Sequence, residues 1–111
     1  MILFTDVETT GFAKSGRHDQ PDQARMCQLA LVLTDTQGNI KAQFSSLIKP
    51  DGWTITDSAY NTHGISMEDC EKYGLPISVV MHQYYWFMFK AGLAAAHNIR
   101  FEKRIFEIEE A

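Results

Sequence analysis

The sequence lacks most of the features that would place it in a membrane or in an oxidising environment. It holds two cysteines, Cys27 and Cys70, with neither a C-x-x-C spacing nor a secretory signal beside them. Lone thiols of this kind are expected to be reduced, buried or incidental, in a cytoplasmic setting. No apolar run approaches the ~20 residues needed to cross a bilayer. The first residues enter a strand without a basic leader or cleavage site, so a soluble chain with no membrane partner is expected. Positive charge is also scarce: 10 Lys and Arg stand against 14 Asp and Glu, for a formal net charge of −4, and the sequence pI is near 5.4. That balance excludes a generic basic nucleic-acid binder, whose affinity comes from a positive stripe. It leaves room for a metal-dependent enzyme, because bound cations supply positive charge that a residue count omits. Repeats, low-complexity tracts and interdomain linkers are missing too, and a 111-residue chain with 45% hydrophobic residues is expected to be one domain with a modest core.

What the sequence does contain begins at its first strand. Ile2, Leu3 and Phe4 call for burial, and Asp6 and Glu8 follow before Thr9, Thr10 and Gly11 end the strand sharply. Residues two apart in a strand point the same way and lie roughly 6.5–7 Å apart. Two such carboxylates suit a pair of hard divalent cations about 3.5–4 Å apart. The carboxyl end of an apolar strand is also where open α/β sheets place their ligands.

Residues 12–25 are polar, with Gly16 and Pro21 as breakers, and predict a long surface loop. Residues 26–34 and 40–48 read as strands joined by a hairpin at Asp35–Asn39. Thr56-Asp57 and Ser66-x-x-Asp69 are helix starts. From Pro76 a longer helix is expected, with Ile77, Val80, Met81, Tyr84 and Met88 at helical spacing. Its run Tyr84-Tyr85-Trp86-Phe87 is read as core packing rather than a base-stacking platform. Gly92 breaks that helix, and Leu93–Ala96 is a short strand. Asn98 then caps a last helix in which Phe101, Ile105 and Ile108 align. The order β-β-β-α-α-α-β-α, with the last strand parallel to the first, predicts an α/β sheet layered with helices.

A second cluster lies at Ala96-His97-Asn98-Ile99-Arg100-Phe101-Glu102, where a strand ends and a helix begins. Glu102 falls in the first turn, where the helix dipole favours its ionised form. On spacing alone it is a surface residue. With Phe4-Thr5-Asp6-Val7-Glu8-Thr9-Thr10-Gly11 and Asn61-Thr62-His63-Gly64-Ile65, however, this cluster makes an ordered set. The chain thereby resembles the DEDD superfamily of 3′–5′ exonucleases, in particular the epsilon-like proofreading branch, over nearly its whole length.

The resemblance implies a ribonuclease H-like mixed sheet, an antiparallel three-strand meander plus a parallel strand flanked by helices, with its C-terminal part missing. It implies that Asp6, Glu8 and Glu102 are catalytic and hold two Mg²⁺ or Mn²⁺ ions, although the family usually has Asp at the position of Glu102. It places Thr9, Thr10, Gly11 and Phe12 against the terminal nucleotide, with His63 and Gly64 lining its pocket and Asn98 holding the turn beside the metals. The implied partner is the 3′ end of a single-stranded nucleic acid. A DNA polymerase, or a second copy covering the open sheet edge, is a further one. Arg100, Lys103, Arg104, Lys14 and Arg17 are candidate phosphate contacts. The family's final motif, a His acting as general base and a fourth metal-binding Asp, has no counterpart after Glu102. His18, His82 and His97 are the remaining histidines from which a base would come. Two readings follow: a metal-dependent 3′–5′ exonuclease, or a catalytically defective relative that binds nucleic acid or a polymerase-like partner.

Overall fold

The computed structural model of the chain describes residues 1–11, 23–96 and 99–110. Its elements follow the expected order: β1 (Ile2–Thr9), β2 (Met26–Thr34), β3 (Ile40–Leu47), α1 (Asp57–His63), α2 (Met67–Tyr73), α3 (Ile77–Lys90), β4 (Leu93–Ala96) and α4 (Ile99–Glu110). The strands form one sheet in the order β3-β2-β1-β4. β1 runs antiparallel to β2, opposing Asp6 to Ala30 and Glu8 to Gln28. It runs parallel to β4, opposing Thr5 to Ala96. β1 is thus central, and its carboxyl end is the place where function was expected. No described helix is long and apolar enough to cross a membrane.

Short-range chemistry sets the turns. The Asp35 carboxylate accepts from the backbone N–H of Gln37 and of Asn39, both at 2.9 Å, and from the Asn39 side chain at 3.0 Å, which closes the β2–β3 hairpin. These bonds, the Asn39 side chain first, hold the Asp35 carboxyl below its usual range. Thr56 and Ser66 cap α1 and α2 by accepting from Ala59 N and Asp69 N, relieving donors that a helix start leaves bare. Gly64 ends α1 at φ 73°, a left-handed conformation that a side chain resists. Gly74 is required by space instead. A β-carbon there would collide with the Cys70 carbonyl and with the backbone of Ile48 and Lys49. The close approach lets Leu75 bridge to Ile48 in parallel and extend the sheet beyond β3 by one pair.

Alternation along the strands builds one core. Leu3 and Val7 of β1 and Leu29, Leu31 and Leu33 of β2 are buried, and Val80, Met81 and Phe87 of α3 and Ile105, Phe106 and Ile108 of α4 join them. Tyr84 stacks on Phe106 with ring centroids 3.9 Å apart and planes 11° apart. The aromatic run of α3 is therefore divided. Tyr84 and Phe87 pack inward as expected, whereas Tyr85 and Trp86 are about half exposed and Phe89 is 84% exposed. The reason is geometric, since successive helical residues turn by about 100° and four in a row cannot share a face. Met88, also read as inward, is 40% exposed. Cys27 and Cys70 are free, and both are buried.

Candidate functional site

The end of β1 presents its acids on the face opposite the core. Leu3 and Val7 are buried while Phe4 and Asp6 are exposed and Glu8 is half-buried, as a two-residue repeat requires. The ladder then slips. Glu8 pairs with Gln28 but Thr9 pairs with Met26, so Cys27 is a surplus residue in β2 and makes a bulge just past Glu8.

The turn that follows is held from three directions. Thr10 donates its N–H to Arg25 O at 2.9 Å, and its hydroxyl accepts from Arg25 N at 2.9 Å. Its carbonyl accepts from Thr56 N at 3.0 Å. The Thr9 hydroxyl donates to Gly11 O at 2.7 Å. His63 brings α1 onto the same turn. Its Nδ1 accepts from Ile65 N at 3.0 Å, so the ring proton sits on Nε2, which donates to Thr9 O at 2.9 Å. This pattern assigns the neutral tautomer by its partners. Cys27 Sγ lies 3.9 Å from the same nitrogen. Burial, with smaller contributions from Cys70 and Glu8, pushes the Cys27 thiol up to about 12, so it stays protonated and inert at neutral pH.

These contacts enclose a cavity of about 400 Å³ lined by Val7, Glu8, Thr9 and Gly11 from the end of β1 and by Thr56, Ser58, Ala59, Thr62 and His63 from α1 and its cap. The first two signature segments thus meet in one pocket. Of the expected nucleotide-contacting residues, Thr9, Gly11 and His63 line it. Thr10 is buried beneath the turn, and Gly64 follows His63 as the helix terminator. The walls supplied by Thr56, Ser58 and Ala59 were not anticipated. The helix start at Thr56 was visible in the sequence, but its proximity to Gly11 was not.

Glu102 is placed differently from the first two acids. It is 4% exposed and accepts from the Thr5 hydroxyl at 2.9 Å. Thr5 alternates with Asp6, so Glu102 reaches β1 from the core side of the pleat while Asp6 and Glu8 face away. Among the described residues no group of three His, Cys, Asp or Glu side chains is disposed to hold a metal ion. The expected three-carboxylate cage is not assembled there. A second acid on the same face of α4 was missed by the sequence reading. The Glu109 side chain is 1% exposed. It accepts from Arg25 Nε at 3.1 Å on both oxygens, from Arg25 Nη2 at 2.8 Å and from Met26 N at 2.7 Å. This bond to Glu109 raises the Arg25 guanidinium above its ordinary value.

Of the remaining candidates, His82 and Lys103 are exposed and Arg104 is half-buried. Phe12, Lys14, Arg17, His18, His97, Asn98 and the side chains of Arg100 and Phe101 lie outside the described residues.

Comparison with known proteins bears on the same segments. The RNase_T family model, described as an exonuclease, matches residues 3–102. The fold is similar to Escherichia coli exonuclease I in complex with a dA13 oligonucleotide (TM-score 0.77, 21% identity, 94% of this chain and 22% of that one). It is also similar to exonuclease I from Methylocaldum szegediense (TM-score 0.76, 23% identity, 94% and 22%). Exonuclease X bound to duplex DNA with a 5′ overhang matches at TM-score 0.70 and 25% identity, over 95% of this chain and 53% of that one. The chain therefore spans about a fifth of the length of exonuclease I and about half that of exonuclease X. No curated protein matches it.

Proposed function

The chain belongs to the RNase_T exonuclease family, and from that membership we propose that it is the substrate-holding part of a metal-dependent 3′–5′ exonuclease, acting on phosphodiester bonds at the 3′ end of single-stranded DNA or RNA. One observation carries the reading: Glu8, Thr9, Gly11, Thr62 and His63 surround a single cavity of about 400 Å³, with Asp6 two residues before Glu8 on the outward face of β1. That volume lies within the range of about 300–1,000 Å³ usual for small-molecule sites. It suits one terminal nucleoside, with Val7 and Ala59 against the base or sugar and hydroxyls from Thr56, Ser58 and Thr62 within the walls.

The donor set bears on the cation. Magnesium keeps several of its waters and is commonly held by one or two carboxylates plus substrate phosphate rather than by an all-protein cage. Asp6 and Glu8, outward and on one face, fit that role. Glu102, buried and engaged by Thr5, does not fit as a third ligand in this arrangement, so these three acids do not fit a dinuclear site. A cation held by Asp6 and Glu8 would supply Lewis-acid activation of water and neutralisation of phosphate charge. The chain's own contribution is placement. His63 fixes the Thr9 carbonyl, Thr10 is held on both sides, and the turn beside Glu8 thereby keeps one geometry for the incoming 3′ end.

The burial of Glu102 favours a second reading, a relative that binds a nucleic-acid end without cutting it. One assay separates the two. The purified chain and its Asp6→Ala variant are incubated with 5′-labelled single-stranded DNA and RNA in Mg²⁺ or Mn²⁺. A ladder of progressively shorter labelled products that needs the metal and vanishes in Asp6→Ala supports the exonuclease. Retention of the oligonucleotide without shortening supports the binding module, and neither result leaves both readings without support.

A further inference from the structure

Arg25 joins the turn that the proposed function relies on to a side-chain network on α4 that it does not use. Its guanidinium forms a forked pair with Glu109 of α4, at 2.8–3.1 Å. Its backbone grips Thr10 twice, receiving the Thr10 N–H on its carbonyl and donating its own N–H to the Thr10 hydroxyl, each at 2.9 Å. Glu109 also binds the next amide, Met26 N, at 2.7 Å. The side chain of Arg25 is therefore locked to α4 while its backbone is locked to the pocket turn, and Glu109 clamps the peptide between them. A planar fork met by a carboxylate fixes direction as well as distance, which a lysine ammonium does not reproduce.

We propose that Arg25 is a positioning residue, and that the Arg25–Glu109 pair sets the Thr9–Gly11 turn against the pocket by tying it to α4. The inference rests on the nucleotide-pocket reading for its consequence in binding, and on the hydrogen bonds alone for the tie itself. Loss of the fork frees the peptide at Arg25–Met26 to shift, and the Thr10 amide loses its fixed acceptor. Ligand affinity in the pocket then falls through the turn, without loss of any group that touches ligand.

The experiment uses the 111-residue chain as wild type, Arg25→Met, Arg25→Lys and Glu109→Gln. Asp35→Ala serves as a control that loosens the distant β2–β3 hairpin. Circular dichroism confirms that each is folded. Two quantities are read: hydrogen exchange at the Thr10 amide in the free protein, and the Kd for thymidine 5′-monophosphate with Mg²⁺ from NMR titration. Arg25→Met and Glu109→Gln are expected to speed Thr10 exchange by about 10-fold or more, as local opening replaces a fixed bond. They are expected to weaken the nucleotide by about 10-fold, with Arg25→Lys intermediate and Asp35→Ala changing neither. Thr10 exchange at the wild-type rate in both Arg25 variants and in Glu109→Gln overturns the proposal, whatever the Kd does. Faster exchange with unchanged Kd overturns the positioning role while keeping the tie. Should the wild type fail to bind the mononucleotide, the pocket reading falls separately, and the exchange rates still decide whether the tie exists. If Arg25→Met does not fold, Arg25→Lys and Glu109→Gln carry the same decision.

Discussion

α3 and α4 meet at the Tyr84–Phe106 stack and feed the same core, yet they are attached by opposite means. α3 is apolar nearly all round. It buries Val80, Met81 and Phe87 and leaves Val79, Tyr85, Trp86, Met88 and Phe89 in water, with Lys90 over the rings of Trp86 and Phe89 at 5.6 and 5.8 Å. α4 shows fewer apolar residues but buries two carboxylates seven positions apart, Glu102 and Glu109, on either side of Ile105 and Phe106. Each acid meets a specific donor on the β1–β2 hairpin, Thr5 for one and Arg25 for the other. Hydrophobic contact is non-directional, so α3 is held mainly by area. A buried carboxylate is costly unless its partners are in place, so α4 is held in one register. α4, joined through Arg25 to the turn beside the pocket, carries the directional ties.

Breaking the shared contact has the largest expected effect. Phe106→Ala removes a ring that both helices use, and about 3–4 kcal/mol of unfolding free energy should be lost in urea denaturation. Glu109→Ala comes next. It strands the Arg25 guanidinium and the Met26 amide, and because Arg25 retains some solvent contact the cost should be about 2–3 kcal/mol, below that of a fully buried pair. A pH effect of similar size arises where β2 meets α1. The Cys27 thiol titrates at about 12 in the folded chain against 9.0 ordinarily, so its contribution to stability is complete below pH 9 and is lost as pH rises toward 12. Urea midpoints measured from pH 8 to pH 11 should therefore fall with pH, and less steeply in Cys27→Ala. At the small end stands Phe89→Ser, on the outer face of α3. Stability should move by no more than about 0.5 kcal/mol, because the ring contributes little packing when it is this exposed. A large loss there would mean that the two helices are less different than their contacts indicate.

Local signals were legible in the sequence and distant ones were not. Thr56, Ser66, Pro76 and Gly92 mark where helices start or stop through the chemistry of one or two neighbouring residues, and α1, α2 and α3 begin or end beside those marks. The acid pair on β1 was likewise readable from a period of two. Glu102 was not, because its side of the pleat depends on how α4 docks on Thr5, 97 positions away in sequence. Arg25 looked like the end of a polar loop for the same reason. Its partner Glu109 is 84 positions distant, and no spacing rule links them. The division of Tyr84-Tyr85-Trp86-Phe87 into inward and outward rings was available from the helical turn angle alone.

The unpaired position at Cys27 has a consequence for how much change the hairpin tolerates. Strand faces exchange with every single-residue slip, so excising that one position would rotate Met26 and Arg25 half a turn about the ladder. The guanidinium would then leave the underside of the sheet and emerge on the outward face opposite Thr10, on the side of Glu8 rather than of Glu109. The length of this strand thus decides which acid its arginine serves.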